Sequence, residues 1–136
     1  MHWLLLIAML FALSGCMGPQ ALRDDGRVVL AEDQYYRSGF EIGRTATLSI
    51  QVEVYSGPNV DVFVMDQLNF QQFENGNDII HFSSCGGVAA QGFQRSCTLS
   101  AGTYFIVLDN SDRGSTAPPF NGIDDPADVG WIIEWE

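Results

Sequence analysis

Ala101-Gly102-Thr103-Tyr104-Phe105-Ile106-Val107-Leu108-Asp109-Asn110 runs from a small-residue turn into five consecutive large apolar or aromatic residues and stops at Asp-Asn. Side chains of an extended chain alternate between faces, so Tyr104, Ile106 and Leu108 share one face while Phe105 and Val107 share the other. Neither face suits water, which makes the stretch a central strand covered on both sides. A helix is the competing reading of a short apolar run. The β-branched and aromatic content and the flanking Ala-Gly and Asn-Ser-Asp favour the strand.

The neighbouring segments supply more strands. From Thr45 to Tyr55, Ala46, Leu48, Ile50, Val52 and Val54 alternate with Thr45, Thr47, Ser49, Gln51 and Glu53, the pattern of a half-buried antiparallel strand. Ser56-Gly57-Pro58-Asn59 is a turn signal, and Val60 to Met65 reads as the next strand, in a hairpin with the one before. Around residues 67–75 the period changes: Leu68, Phe70 and Phe73 lie among Gln, Asn and Glu, consistent with a short helix capping the core. Ile79 to Ser83 reads as a short strand, the segment after Cys85 as loose, and Asn110 to Asp128 as a long loop. A last strand alternates Val129, Trp131, Ile133 and Trp135 with Gly130, Ile132, Glu134 and Glu136. Short strands, turn signals and no long amphipathic helix predict an all-β chain. The expected architecture is a single antiparallel β-sandwich, jelly-roll-like, of about seven to eight strands over residues 33–136.

Composition narrows the function. The chain has 136 residues, the length of one domain, and its 46% hydrophobic and 12% aromatic content exclude a disordered chain. Seventeen acidic residues face six basic ones, all Arg, for a formal net charge of −11. Such a field repels nucleic acid and anionic lipid surfaces, whose recognition depends on Lys and Arg. The acidity serves either solubility or the binding of divalent cations.

Residues 3–13 are apolar, too short a run to anchor a bilayer-spanning helix and of the length of a signal-peptide core. Leu13-Ser14-Gly15-Cys16 follows, and resembles the lipobox of bacterial lipoproteins. The resemblance implies a signal peptide over residues 1–15, lipidation of Cys16 as the first mature residue, and a tether over 16–32. Several acyl chains, each contributing about 0.8 kcal/mol per buried CH₂, hold a protein durably at a membrane. Met17 stands where an Asp would resemble an inner-membrane retention signal, so the outer membrane is the expected address in a Gram-negative cell.

With Cys16 lipidated, Cys85 and Cys97 remain, and two thiols in an oxidising envelope usually pair. A redox-active pair or metal thiolates are the alternatives, but neither CxxC spacing nor a second ligand pair accompanies them.

Asp61-Val-Phe-Val-Met-Asp66, Leu68-Asn-Phe-Gln-Gln-Phe-Glu-Asn-Gly76 and Ala101 to Asn110 together resemble the small β-sandwich domains akin to bacterial pre-peptidase C-terminal domains. That likeness, over roughly residues 33–136, implies a non-catalytic module contributing adhesion, substrate or calcium binding, or stability.

Candidate chemistry is sparse. His81 is the one histidine after the leader, with no Gly-x-Ser-x-Gly elbow for a catalytic triad and no recognisable fourth ligand for zinc beside the two cysteines. Asp109, Asn110, Asp112, Asn121, Asp124 and Asp125 bracket the long loop. They are hard oxygen donors of the kind Ca²⁺ takes, without EF-hand spacing, and equally the residues that build turns. Phe120, Trp131 and Trp135 are either core or an aromatic platform for a sugar, with Trp131 and Trp135 sharing one fate because they share a strand face. Paired carboxylates for glycoside hydrolysis lack room for a cleft in so small a sandwich. The reading is a lipid-anchored cell-envelope protein whose domain is non-enzymatic and structural or interactive, with no required cofactor. A surface carbohydrate- or calcium-binding module is the alternative. Its expected partners are the membrane, through the anchor, and an envelope protein or glycan.

Overall fold

The computed structural model describes residues 22–114 and 119–136. Among them are eight strands, β1 (Leu22–Leu30), β2 (Gln34–Ile42), β3 (Ala46–Ser56), β4 (Val60–Asp66), β5 (Gly87–Ala90), β6 (Gly92–Leu99), β7 (Gly102–Asn110) and β8 (Ala127–Trp135), with one helix, α1 (Gln67–Glu74). Two four-stranded sheets run β1-β8-β3-β6 and β2-β7-β4-β5, all pairs antiparallel. First pairs with last, second with seventh, third with sixth, fourth with fifth: a long hairpin wrapped onto itself, the jelly-roll arrangement the patterning predicts.

β7 lies inside its sheet, between β2 and β4. Tyr104, Ile106 and Leu108 face the other sheet and join a core with Leu48, Ile50, Val52, Ile133 and Trp131. Phe105 and Val107 face outward, under α1, in a second cluster with Phe63, Met65, Phe70 and Phe73. The two apolar faces are thus both covered, one by the opposing sheet and one by the helix. α1 starts at Asp66, whose side chain accepts from the Asn69 N–H and so satisfies one of the helix's orphan donors. At its other end the Arg113 guanidinium donates to the carbonyls of Phe73 and Glu74, where a cation complements the helix dipole.

Four expectations are corrected. The tether expected over 16–32 gives way to strand over Leu22–Leu30, registered along its whole length with β8, so these residues belong to the sandwich; 16–21 lie outside the described residues. Apolar alternation is interrupted there because of what lies beneath: a Cβ on Gly26 would meet the Trp131 ring at 2.6 Å, and Asp24 accepts from the Trp131 indole N–H at 3.4 Å. β3 and β4 form no hairpin. β4 is buried on both faces and therefore belongs in the doubly covered sheet, so the turn at Gly57, with φ of 93°, carries the chain from one sheet to the other. Ile79–Ser83 is not a strand, since the Ile80 N–H donates to the Asn69 side chain and the Phe82 N–H to the Val64 carbonyl instead of forming a ladder. The segment after Cys85 is not loose but holds β5 and β6, on opposite sheets.

Cys85 and Cys97 are bonded, with Cα atoms 5.3 Å apart. Cys97 sits in β6 at the edge of one sheet and Cys85 just before β5 at the edge of the other, so the bridge fastens the two sheets along one side. Both sulfur-bearing residues are buried in the main core. The redox and metal-thiolate alternatives have no place there.

Candidate functional site

The two outer faces differ. The β2-β7-β4-β5 sheet lies beneath α1, whereas the polar outer face of the β1-β8-β3-β6 sheet is covered by none of the described residues. On this open face β3 and β6 present matched cross-strand pairs, Thr47 with Thr98, Ser49 with Ser96 and Gln51 with Gln94, all exposed. Toward β1 a groove of about 390 Å³ is floored by Ile132 and Gly130. Gly130 lets the Tyr55 ring lie against the sheet, because a Cβ there would meet the ring at 2.9 Å. The Arg27 guanidinium stacks 3.9 Å above that ring and is held by a bidentate pair with Asp128, at 2.8 and 2.7 Å. On the groove's other side Arg23 pairs with Asp25 at 2.7 Å and with Glu134. The hydrogen bonds from Arg27, helped by its charge, hold the Asp128 carboxyl below its ordinary range.

On the covered sheet Asp61 and Asp109 lie directly opposite each other in neighbouring strands, 0% and 1% exposed. Like charges in that relation repel. The turn after β7 folds over them: Ser111 donates to Asp109 from both its N–H and its hydroxyl, and Gly114 packs so closely that a Cβ would stand 2.8 Å from the Asp109 carboxylate. Burial, reinforced by the facing Asp61 and opposed by the Ser111 bonds, pushes the Asp109 carboxyl up to about 6. The folded chain therefore holds a proton here between the ordinary value of 3.8 and about 6. The stability this confers is full below the lower value and is lost as pH rises through the upper one. Between pH 7 and 5 the wild type should gain about 1 kcal/mol over Asp109→Asn, which keeps an acceptor for Ser111 but cannot ionise. Urea unfolding of both at the two pH values checks this, and equal pH slopes would contradict it.

The calcium candidates do not converge. Asp109 faces α1, whereas the adjacent Asn110 points inward and donates its amide to the carbonyls of Leu30 at 3.1 Å and Asp125 at 3.0 Å. Asp124 accepts from the Glu32 N–H, Asp125 from the Asn121 amide, and Asp112 is exposed. Asn110 and Asp124 thus tie the loop and the end of β7 to the β1–β2 corner, and Asn121 and Asp125 pair within the loop. Among the described residues no group of three or more His, Cys, Asp or Glu side chains is placed to hold a metal ion. Trp131 and Trp135 share the buried fate their common parity requires, at 5% and 9% exposure, so neither forms a sugar platform; Phe120 is fully exposed, apart from them. His81 packs its ring 4.9 Å from Phe63. Cys16 and the leader lie outside the described residues. Sequence reasoning missed the open-face groove and the Asp61–Asp109 pair, since both depend on strand partners that alternation alone does not name.

No protein-family model matches the chain, and no curated protein matches it. Nine solved chains do match. One is the pre-peptidase C-terminal domain of a collagenase from Bacillus anthracis, 10% identical, with 82% of this chain and 89% of that chain covered at a TM-score of 0.48.

Proposed function

We propose that the chain is a lipid-anchored cell-envelope protein whose sandwich is a non-catalytic interaction domain, presenting the open face of β1-β8-β3-β6 to its partner. The observation that carries this is the asymmetry of the sheets: one outer face is closed by α1 and its aromatic cluster, while the other is polar, grooved and, among the described residues, uncovered. Sequence supports the anchor through Leu13-Ser14-Gly15-Cys16 after an apolar run, and Met17 supports delivery to the outer membrane of a Gram-negative cell. The chain enters the sandwich at Leu22, beside Trp135, at one end of the strands. Cys16→Ser should abolish incorporation of a clickable palmitate analogue and release the protein from the membrane fraction. Unchanged labelling and fractionation would overturn the anchor.

A further inference from the structure

We infer that the open face binds a neutral, hydroxyl-rich oligosaccharide laid across the strands at the level of Gln51 and Gln94. The inference rests on that face being the interaction surface and names the chemistry of its ligand.

Register brings the binding row together. Asp25 of β1, Ile132 of β8, Gln51 of β3 and Gln94 of β6 stand in one line across the sheet. The next line is Arg27, Gly130, Glu53 and Gly92, where the Tyr55 ring lies over Gly130. The groove beside β1 and a second one of about 410 Å³ beside β6 share Gln51 and Glu53 in their linings. Together they reach across all four strands, about 14 Å from three strand spacings, as a shallow trough interrupted by those two side chains.

The lining selects the ligand. In a chain of net charge −11, β3 and β6 present six uncharged hydroxyl and amide side chains on this face, with Glu53 the one carboxylate among their positions there. Gln51 and Gln94 make no side-chain hydrogen bond among the described residues. An amide offers a donor and an acceptor together, which is what a sugar hydroxyl, itself both, requires. Arg23 and Arg27 are already paired with Asp25, Glu134 and Asp128, so they project no free positive field toward phosphate or sulfate. The surplus acidity repels anionic polymers in general. An extended peptide aligns with a sheet edge and uses its backbone bonds; a trough crossing the strands offers side chains only. Tyr55, under Arg27, forms one wall.

The test is a titration of the full chain carrying Cys16→Ser, followed by NMR, with chitohexaose, cellohexaose and mannohexaose as neutral probes and polygalacturonate as the anionic one. At least one neutral hexasaccharide should bind with Kd of about 1 mM or tighter and shift the side-chain amides of Gln51 and Gln94. The double variant Gln51→Ala/Gln94→Ala should weaken it roughly tenfold or more, with an unchanged melting temperature, while Gln71→Ala on α1 changes nothing. No shift with any neutral probe up to about 10 mM, shifts confined to other surfaces, an unaffected double variant, or tighter binding of polygalacturonate would each overturn the inference. If position 51 cross-links to a protein in cells while every hexasaccharide fails, the glycan is wrong and the interaction face stands. If position 51 cross-links to nothing, the parent reading fails.

Discussion

Ile106→Ala should cost about 2–5 kcal/mol, the range for truncating a fully buried aliphatic side chain and leaving a cavity. Ile106 is 0% exposed in the middle of β7, and its strand is flanked by β2 and β4, faced by the opposing sheet and backed by α1. No neighbour there can collapse into the space without disturbing a second layer. Against a typical domain stability of about 5–15 kcal/mol, the loss would be a large fraction of the whole. Gln51→Ala, on the exposed face of β3, should change stability by about 0.5 kcal/mol or less. Urea unfolding of the two variants gives the comparison. Similar, small shifts would mean that β7 is not the centre of the fold.

Replacing both Cys85 and Cys97 by Ser should cost about 3 kcal/mol through the entropy of the unfolded chain. The bridge spans 12 positions and joins segments that belong to different sheets at the same side of the sandwich. β5 is only four residues long and pairs with β4 through a register irregularity, so the ladder alone holds that corner weakly. The loss should therefore appear first as faster hydrogen exchange in β5 and β6, with β7 protected until global unfolding. In the unreduced protein neither thiol should react with an alkylating agent, and modification of both in the folded state would contradict the bridge.

Where an element's own side chains decide its place, it was legible in the sequence. β7 was found because both its faces are apolar, and β3 and β8 because their alternation is unbroken. β4 carries the same signature as β7, with Val60, Val62 and Val64 on one face and Phe63 and Met65 on the other. Adjacency across a turn suggested pairing with β3, but burial on both faces placed it beside β7. β1 was hidden because two of its inward positions are Gly26 and Asp24, shaped to Trp131 from a strand over a hundred residues away, which breaks the alternation that Val28 and Leu30 continue. β5 and β6 were hidden by Gly86, Gly87 and Gly92, which interrupt the pattern at the crossing between sheets. The groove was illegible for the same reason as β1: its floor and walls come from strands that meet only through long-range pairing. Asp109 stood out as a loop-edge carboxylate, yet its chemistry is set by Asp61, which no spacing rule connects to it.

Photo-cross-linking in intact cells tests the interaction face most directly, using a diazirine amino acid at position 51 on the open face or at position 71 on α1. Both positions are exposed. Adducts that form from position 51, not from position 71, and that diminish when Cys16→Ser releases the protein from the membrane are the expected result. Equal adducts from both positions, or adducts from position 71 alone, would contradict an open-face interaction domain held at the envelope.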